Sequence, residues 1–584
     1  MRNGYKRIVN LKPLNPNRLK LIYFFSLLII FSLLGRVINL QLFSSTLLKS
    51  KARNIHLRKI SSLKIRRSIV DRNNRLIAYD KPLYKLWAHP KYFNFPGDPP
   101  NKIRSIEEVI SKLSPIFNID KTELISKFKN KNIGVKLFDD LTEEQAIKVR
   151  KLYISGLDLE SHSKRFYPQA NLFSNIVGFV NDDKNGSSGL ELYLDNQIKI
   201  LKKSNILKEG ADGTPLPDIS GPNDFLSDDK KIVLTLDSRL QKVSFNVLSK
   251  QVRAWKAKKG FAVVMNVQNG EILSLVSFPS FDPNKFWEFD QSLFKGWYSQ
   301  DLFEPGSTFK PINLALALEE KVIKEDGYVQ DNGNVNVGGW TLSNWDKRGN
   351  GFISYPKVLQ VSSNVGMVKI MQNMTPSRYW ERLNKLGINR KINTDLYEST
   401  PGYLKKKDVF VNQPIEQAVA SFGKGFSISP LKLAQLHASL ANGGYEITPH
   451  VTYDFKKDIS KYTKKRLFSS EVSQIILKWM ESVVNNGSGV GAKIEGYRIG
   501  GKTGTSQKAI NGIYTREKTC SFVATLPIDD PKYLVLVVVD APSKAFAYGS
   551  TVAVPIAKEI IESLIVLEKI PPSPQNSIKI VKKP

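Results

Sequence analysis

Residues 21–43 read LIYFFSLLIIFSLLGRVINLQLF, an apolar run broken by a single charge, Arg36. No small soluble domain buries a stretch of this kind on all sides. Wound as a helix, about 20 such residues cross a ~30 Å hydrocarbon layer. Arg36 lies near one end, where its long stem reaches the headgroups. The preceding segment carries Arg2, Lys6, Arg7, Lys12, Arg18 and Lys20 and no acid. No small-x-small cleavage pattern follows, so the run reads as an uncleaved anchor rather than a signal peptide. The far flank is basic as well (Lys49, Lys51, Arg53, Arg58, Lys59), but a long domain translocates largely regardless of such charge. The expectation is a cytoplasmic tail over 1–20, a single transmembrane anchor over 21–43, and everything beyond Phe43 on the outer side of the membrane.

At 584 residues the chain is long enough for two or more domains with full cores. Its net charge of +32 raises nucleic acid or an anionic surface as partners, but the basic residues are dispersed rather than gathered into a stripe. No basic-aromatic module stands out, so no nucleic-acid partner is expected. The single cysteine, Cys520, excludes intrachain disulfides and a cysteine-based metal site. His56, His89, His162, His437 and His450 show no ligand spacing, so neither metal nor other cofactor is expected.

Residues 44–225 mix short strand-like runs with polar helices at Ser105–Leu113 and Lys121–Phe128 and read as a pedestal or dimerisation-like module. Arg66–Asn74 reads as a strand leading to a turn in which Asn74 takes the left-handed conformation. Arg165-Phe-Tyr-Pro168 and Gly189-Leu-Glu191 look like similar punctuation. A Gly/Pro/Asp-rich stretch, Gly210–Asp224, ends the module. A second domain, 230–568, opens with a strand at Ile232–Asp237 and a helix. Phe261–Val267 and Glu271–Val276 follow, joined by the Asn269-Gly270 turn of a hairpin. Late strands at Cys520–Leu526 and Tyr533–Val539 and a last helix at Val554–Leu567 enclose a helical middle that includes Pro430–Leu440. That order predicts one antiparallel sheet packed with helices, an α+β fold. Residues 569–584 form a loose tail.

Within this domain, Glu304-Pro-Gly-Ser-Thr-Phe-Lys-Pro311 puts a hydroxyl and an amine three residues apart. Pro311 must lie close to a helix start, so Ser307 sits near the first turn and the Lys310 amine is within reach of it. Ser-x-x-Lys alone means little: it recurs at Ser61/Lys64, Ser126/Lys129, Ser161/Lys164, Ser292/Lys295 and Ser354/Lys357. Two further elements give it weight. Ser362-Ser-Asn364 opens an apolar helical stretch, and Gly500-Gly-Lys-Thr-Gly-Thr505 suits a strand lying against a ligand.

Ser307-x-x-Lys310, Ser362-x-Asn364 and Lys502-Thr503-Gly504, in that order, resemble the motif set of the penicillin-recognising serine transpeptidases, an association that comes from the family and not from the spacing. Arg66–Ala78, Arg165–Pro168, Gly189–Glu191 and the anchor are similar to the class B high-molecular-weight penicillin-binding proteins. Ser421-Phe-Gly-Lys-Gly425, Ser429-Pro-Leu431 and Tyr548–Pro555 look most like the septal, cell-division type. Arg67 and Asn74 stand where the family has glycine, and Lys424 where the septal type often has tyrosine. The resemblance implies a serine β-lactamase-like catalytic domain that cross-links peptidoglycan stem peptides. In it Ser307 is the nucleophile and Lys310 its base. Ser362 relays a proton and Asn364 orients the base, while Lys502, Thr503, Gly504 and Thr505 bind the substrate carboxylate. The implied partners are a D-Ala-D-Ala donor, an amine acceptor, β-lactams as covalent inhibitors, and a polytopic membrane glycan polymerase with other division proteins. An elongation-type transpeptidase and an anchored β-lactam sensor or hydrolase would share the same catalytic residues.

Overall fold

The computed structural model of the chain describes residues 16–43, 57–58, 64–99, 101–128, 133–201, 207–208, 230–455, 465–510 and 513–574. The first part of the expected cytoplasmic tail, the 210–224 stretch and the end of the C-terminal tail lie outside the described residues. Helix α1, Pro16–Ile38, runs on as a π-helical turn over Asn39–Phe43. Its span Pro16–Gln41 has a mean hydropathy of 2.3 and is nowhere buried, long and apolar enough to cross a membrane. By packing, α1 belongs to one unit, and residues 65–200 together with those from 230 onward form another.

The second unit begins with a twisted sheet. Its strands are β1 (Ile69–Val70), β2 (Leu76–Ala88), β3 (Val135–Leu141) and β4 (Leu157–Phe166), with helix α2 (Ile106–Phe117) before β3 and the short helix α3 (Gly189–Tyr193) after β4. The Ser105 hydroxyl caps α2 by accepting from the Glu108 N–H. Asn74 takes φ 63° in the turn between β1 and β2. Strand β5 is only Ile232–Val233 and runs parallel to β1. The run predicted as the first strand of the catalytic domain therefore completes this sheet instead. Asp71, in the β1–β2 turn, accepts from the Ser238 N–H at 3.1 Å and so helps hold the next helix.

Residues that looked like turn punctuation turn out to be buried charge. The Arg66 guanidinium donates to Glu191 Oε2 at 2.6 and 2.9 Å and to Asp195 Oδ1 at 2.6 Å. Arg165 donates to Glu191 Oε1 at 2.7 Å and to Asp80 Oδ1 at 3.2 Å. Burial works against the charge on Arg165, but the flanking carboxylates outweigh it and move its pKa upward.

The catalytic part starts with α4 (Ser238–Ala254) and the antiparallel hairpin β6 (Lys259–Asn266) and β7 (Ile272–Phe278). Gly270 supplies the φ of +83° its turn needs. Then come α5 (Lys310–Glu319), β8 (Tyr328–Asp331), α6 (Tyr355–Val361), α7 (Asn364–Met371), α8 (Pro430–Ala441), α9 (Ser470–Asn486), β9 (Gly500–Ile510), β10 (Ile513–Leu526), β11 (Tyr533–Asp540) and α10 (Val554–Leu567). The sheet order is β7-β6-β11-β10-β9, antiparallel throughout, so β9 is an edge strand. Both faces are covered, which is why β6 and β11 read as continuous apolar runs. Phe261, Val263, Leu536 and Val538 pack into the core shared with α5, α8 and α9, and their alternates Ala262, Val264, Val535 and Val537 pack with α4 and α10.

Candidate active site

The nucleophile turn is built by close backbone approach. Gly306–Phe309 forms a 3-10 turn that passes directly into α5, with Pro311 at the second helical position, where its missing N–H costs nothing. The Gly306 N–H donates to the Gly423 carbonyl at 2.9 Å, and a Cβ on Gly423 would lie 2.1 Å from the Gly306 oxygen. On the other side, a Cβ on Gly504 of β9 would meet Ser521 Oγ at 2.4 Å and the Thr308 methyl at 2.9 Å. Glycine at these two positions lets the 421–425 loop, the Ser307 turn and the edge strand stack in contact. Ser307 remains half-exposed while Lys310 is fully buried.

Two lysines converge on Ser362. Lys310 Nζ donates to the Ser362 carbonyl at 2.6 Å and to Asn364 Oδ1 at 2.8 Å, and lies 3.3 Å from Ser362 Oγ. Lys502 Nζ donates to Ser362 Oγ at 3.0 Å and to the Thr503 carbonyl at 2.9 Å. Asn364 must face Lys310 with its oxygen, because its Nδ2 donates to the Ser343 carbonyl at 3.0 Å. Among the described residues neither ammonium touches a carboxylate. Burial, reinforced by Lys502, drives the Lys310 pKa well below the ordinary lysine value, and burial brings Lys502 down to about 7. A neutral amine keeps two N–H groups and one lone pair. The two short bonds of Lys310 use both N–H groups, which frees the lone pair for a proton from a hydroxyl.

Ser362 is the left-handed residue, φ 58°, between α6 and α7, and this unusual conformation turns both its carbonyl and its hydroxyl toward the lysines. Thr503 and Ser488 share a 2.6 Å hydroxyl contact, and Thr505, exposed on the edge strand, accepts from the Gly549 N–H at 2.9 Å while its own proton stays available. Beyond these, Glu304 accepts from the Gly425 N–H at 2.9 Å and from the Tyr514 hydroxyl at 3.1 Å, and burial raises its pKa. Lys424 stacks 4.1 Å from the Tyr514 ring centroid. A cavity of about 1280 Å³ opens beside the nucleophile rather than on it, lined in part by Glu304, Trp340, Ser506, Gln507 and Tyr514.

All three sequence motifs thus meet in one place. One detail differs from the sequence reading: the hydrogen bonds of Lys310 go to the Ser362–Asn364 turn, and none reaches Ser307. Three contributors were not read from the sequence. His437 Nε2 donates to the Thr308 carbonyl at 2.8 Å directly behind the nucleophile, and burial lowers its pKa to about 4, so it is neutral. Asp331 and Asn344 sit under the Ser362 turn. Only the amphipathic placement of His437 on α8 was available as a signal, and that marks core as readily as function. Among the described residues no cluster of His, Cys, Asp or Glu is arranged to hold a metal ion.

Comparison with known proteins adds to this geometry. Residues 260–562 match the family described as penicillin binding protein transpeptidase domain, and 64–220 that described as penicillin-binding protein dimerisation domain. A protein of Mesostigma viride named peptidoglycan D,D-transpeptidase FtsI homolog is 35% identical over 93% of this chain and 94% of its own. Peptidoglycan D,D-transpeptidase FtsI of Escherichia coli (strain K12) is 28% identical over 91% of this chain and 89% of its own. The crystal structure of a peptidoglycan synthetase from Bifidobacterium adolescentis shares the fold, with a TM-score of 0.64 at 23% identity, covering 88% of this chain and 98% of that one.

Proposed function

The chain belongs to the penicillin-binding protein transpeptidases, and from that membership we propose how its own residues carry the reaction. It is a class B peptidoglycan D,D-transpeptidase of the septal type. Ser307 Oγ attacks the carbonyl of the penultimate D-alanine of a donor stem peptide while neutral Lys310 takes the hydroxyl proton. The oxyanion is held by the N–H groups of Ser307 and Thr505, each donor worth about 3 kcal/mol. Ser362 passes a proton to the departing nitrogen, the terminal D-alanine leaves, and an ester on Ser307 remains. An amine of a second stem peptide then attacks that ester, forms the cross-linking amide and returns the proton to Ser307. Asn364 orients Lys310. Lys502, Thr503 and Thr505 receive the terminal carboxylate, and Gly504 leaves room for the strand to lie against the Ser307 turn. An extended donor pairing with the free edge of β9 would run toward the neighbouring cavity.

The single observation that carries these roles is the meeting of two buried lysines on Ser362 with no carboxylate in contact. A β-lactam, whose amide stands in for the scissile bond, acylates the same Ser307. The α1 helix serves as a single-pass anchor with its N-terminus cytoplasmic and the catalytic part outside, where a polytopic glycan polymerase and other division proteins are the expected partners. The test is covalent labelling of the full chain in detergent with a fluorescent penicillin. The adduct is expected on Ser307 by peptide mass spectrometry and is expected to vanish in Ser307→Ala; an adduct that persists in that variant overturns the assignment.

A further inference from the structure

Asp331 ends β8 with its carboxylate 1% exposed, in no part of the three motifs, and almost every donor around it leads to Ser362. Its Oδ1 accepts from the Gly333 N–H and from Asn344 Nδ2, both at 2.9 Å. Its Oδ2 accepts from Asn350 Nδ2 at 2.6 Å and from the Ser363 hydroxyl at 2.7 Å, and lies 2.9 Å from Asn344 Nδ2. A carboxylate only accepts, so Asn344 is forced to present its amide nitrogen to Asp331 and its oxygen the other way. That oxygen takes the N–H groups of Asn364 at 2.8 Å and Val365 at 3.2 Å. Ser363, whose proton is committed to Asp331, accepts from the Gly366 N–H at 2.8 Å. The first three backbone donors of α7 are therefore satisfied by side chains that Asp331 orients. Immediately before them stands Ser362, a non-glycine residue in the left-handed region, a conformation that persists only where its surroundings impose it.

We propose that Asp331 is a positioning residue for acylation: through Asn344 and Ser363 it holds Ser362 in the conformation that turns two oxygens to Lys310, and its buried charge sets the pH above which Lys310 serves as base. The charged groups facing Lys310 are Lys502 from β9 and Asp331 from β8; Ser362 and Asn364, from the start of α7, are neutral. Asp331 is faced by the neutral Asn344, Asn350 and Ser363, and Lys369 of α7 bonds the adjacent Gln330 carbonyl at 2.8 Å. Burial alone would raise the Asp331 pKa, but its hydrogen-bond donors outweigh burial and lower it, so the carboxylate stays ionised. Its charge acts on Lys310 in the opposite sense to burial and Lys502, raising the Lys310 pKa.

This inference rests on the acyl-transfer reading above, and the wild-type adduct, lost in Ser307→Ala, tests that reading separately. The second-order rate of acylation by a fluorescent penicillin is measured on the full chain in detergent across about pH 5–10. In Asp331→Asn the rate is expected to fall about tenfold or more, because a donor replaces an acceptor among buried donors. Its acid limb is expected to move to lower pH, because the charge that favoured protonated Lys310 is gone. The exchange Asp331→Asn with Asn344→Asp restores an acceptor between the two positions and carries the charge closer to Lys310. It is expected to recover most of the rate and to move the limb back upward. A wild-type rate and limb in Asp331→Asn overturn the proposal. So does a slow Asp331→Asn enzyme whose limb has not moved, which would mark a role in packing alone. If Asp331→Asn does not fold, the exchange variant decides: a slow rate or an unmoved limb there counts against the proposal, and recovery of both counts for it.

Discussion

Arg66 and Arg165 lie as deep in the protein as Lys310 and Lys502, yet the two pairs meet opposite surroundings. The arginines are matched by Glu191, Asp80 and Asp195, so their charge is neutralised in place by groups that accept in fixed geometry. The lysines are given a serine hydroxyl, two backbone carbonyls and an amide oxygen, which accept hydrogen bonds without cancelling charge. A guanidinium keeps its proton in either setting, whereas an ammonium denied a counter-charge gives its proton up. The first arrangement ties β2, β4 and α3 together. The second makes a base.

Four changes break or sharpen this contrast. Lys310→Ala is expected to reduce the acylation rate by about 10³-fold or more while leaving the melting temperature unchanged or higher, since it removes a buried amine that lacks a counter-ion. Stopped-flow acylation and calorimetry measure the two. Glu191→Gln is expected to do the reverse. Uncovering two buried guanidiniums costs about 3–5 kcal/mol, read by denaturant titration, while the protein that remains folded acylates at the wild-type rate. A loss of acylation in folded Glu191→Gln would break the contrast.

The third concerns pH. The folded value for Lys502 is about 7 and the unfolded value about 10.4. Between them the unfolded chain binds more protons, so stability rises with pH through that window, by up to about 1.4 kcal/mol per pH unit for one such group. The rise should flatten in Lys502→Met. The arginines add no such slope, since a guanidinium stays protonated throughout. Smallest in effect is Gly504→Ala. The added methyl presses on Ser521 and Thr308, and a strain of about 1–3 kcal/mol shared between stability and site geometry should slow acylation about tenfold without moving its pH profile.

What was legible in the sequence was local. Ser307, Lys310 and Pro311 declare a helix start by their spacing, and the Asn269-Gly270 turn and the apolar β6 and β11 runs declare the sheet. The long-range ion pairs were not legible. Arg66 and Glu191 are far apart in the chain, and Arg165-Phe-Tyr-Pro168 looks like a turn until the sheet brings it beside both. Ile232–Asp237 was read as one strand because its apolar pattern continues, but only its first two residues find a partner, on β1. Asp331 and Asn344 carry no spacing signal, since each acts by hydrogen bonds across a loop. Lys424 was marked only as a departure from the family pattern; in the fold it stacks on Tyr514 at the rim beside the nucleophile.

The account depends on Lys310 being uncharged at neutral pH. The most direct measurement is the pH dependence of Ser307 acylation in the wild-type chain. The rate is expected to rise at acid pH and level off by about pH 8, well below the ~10.4 at which an ordinary lysine titrates. A rate that keeps climbing in proportion to hydroxide through about pH 10 would contradict it.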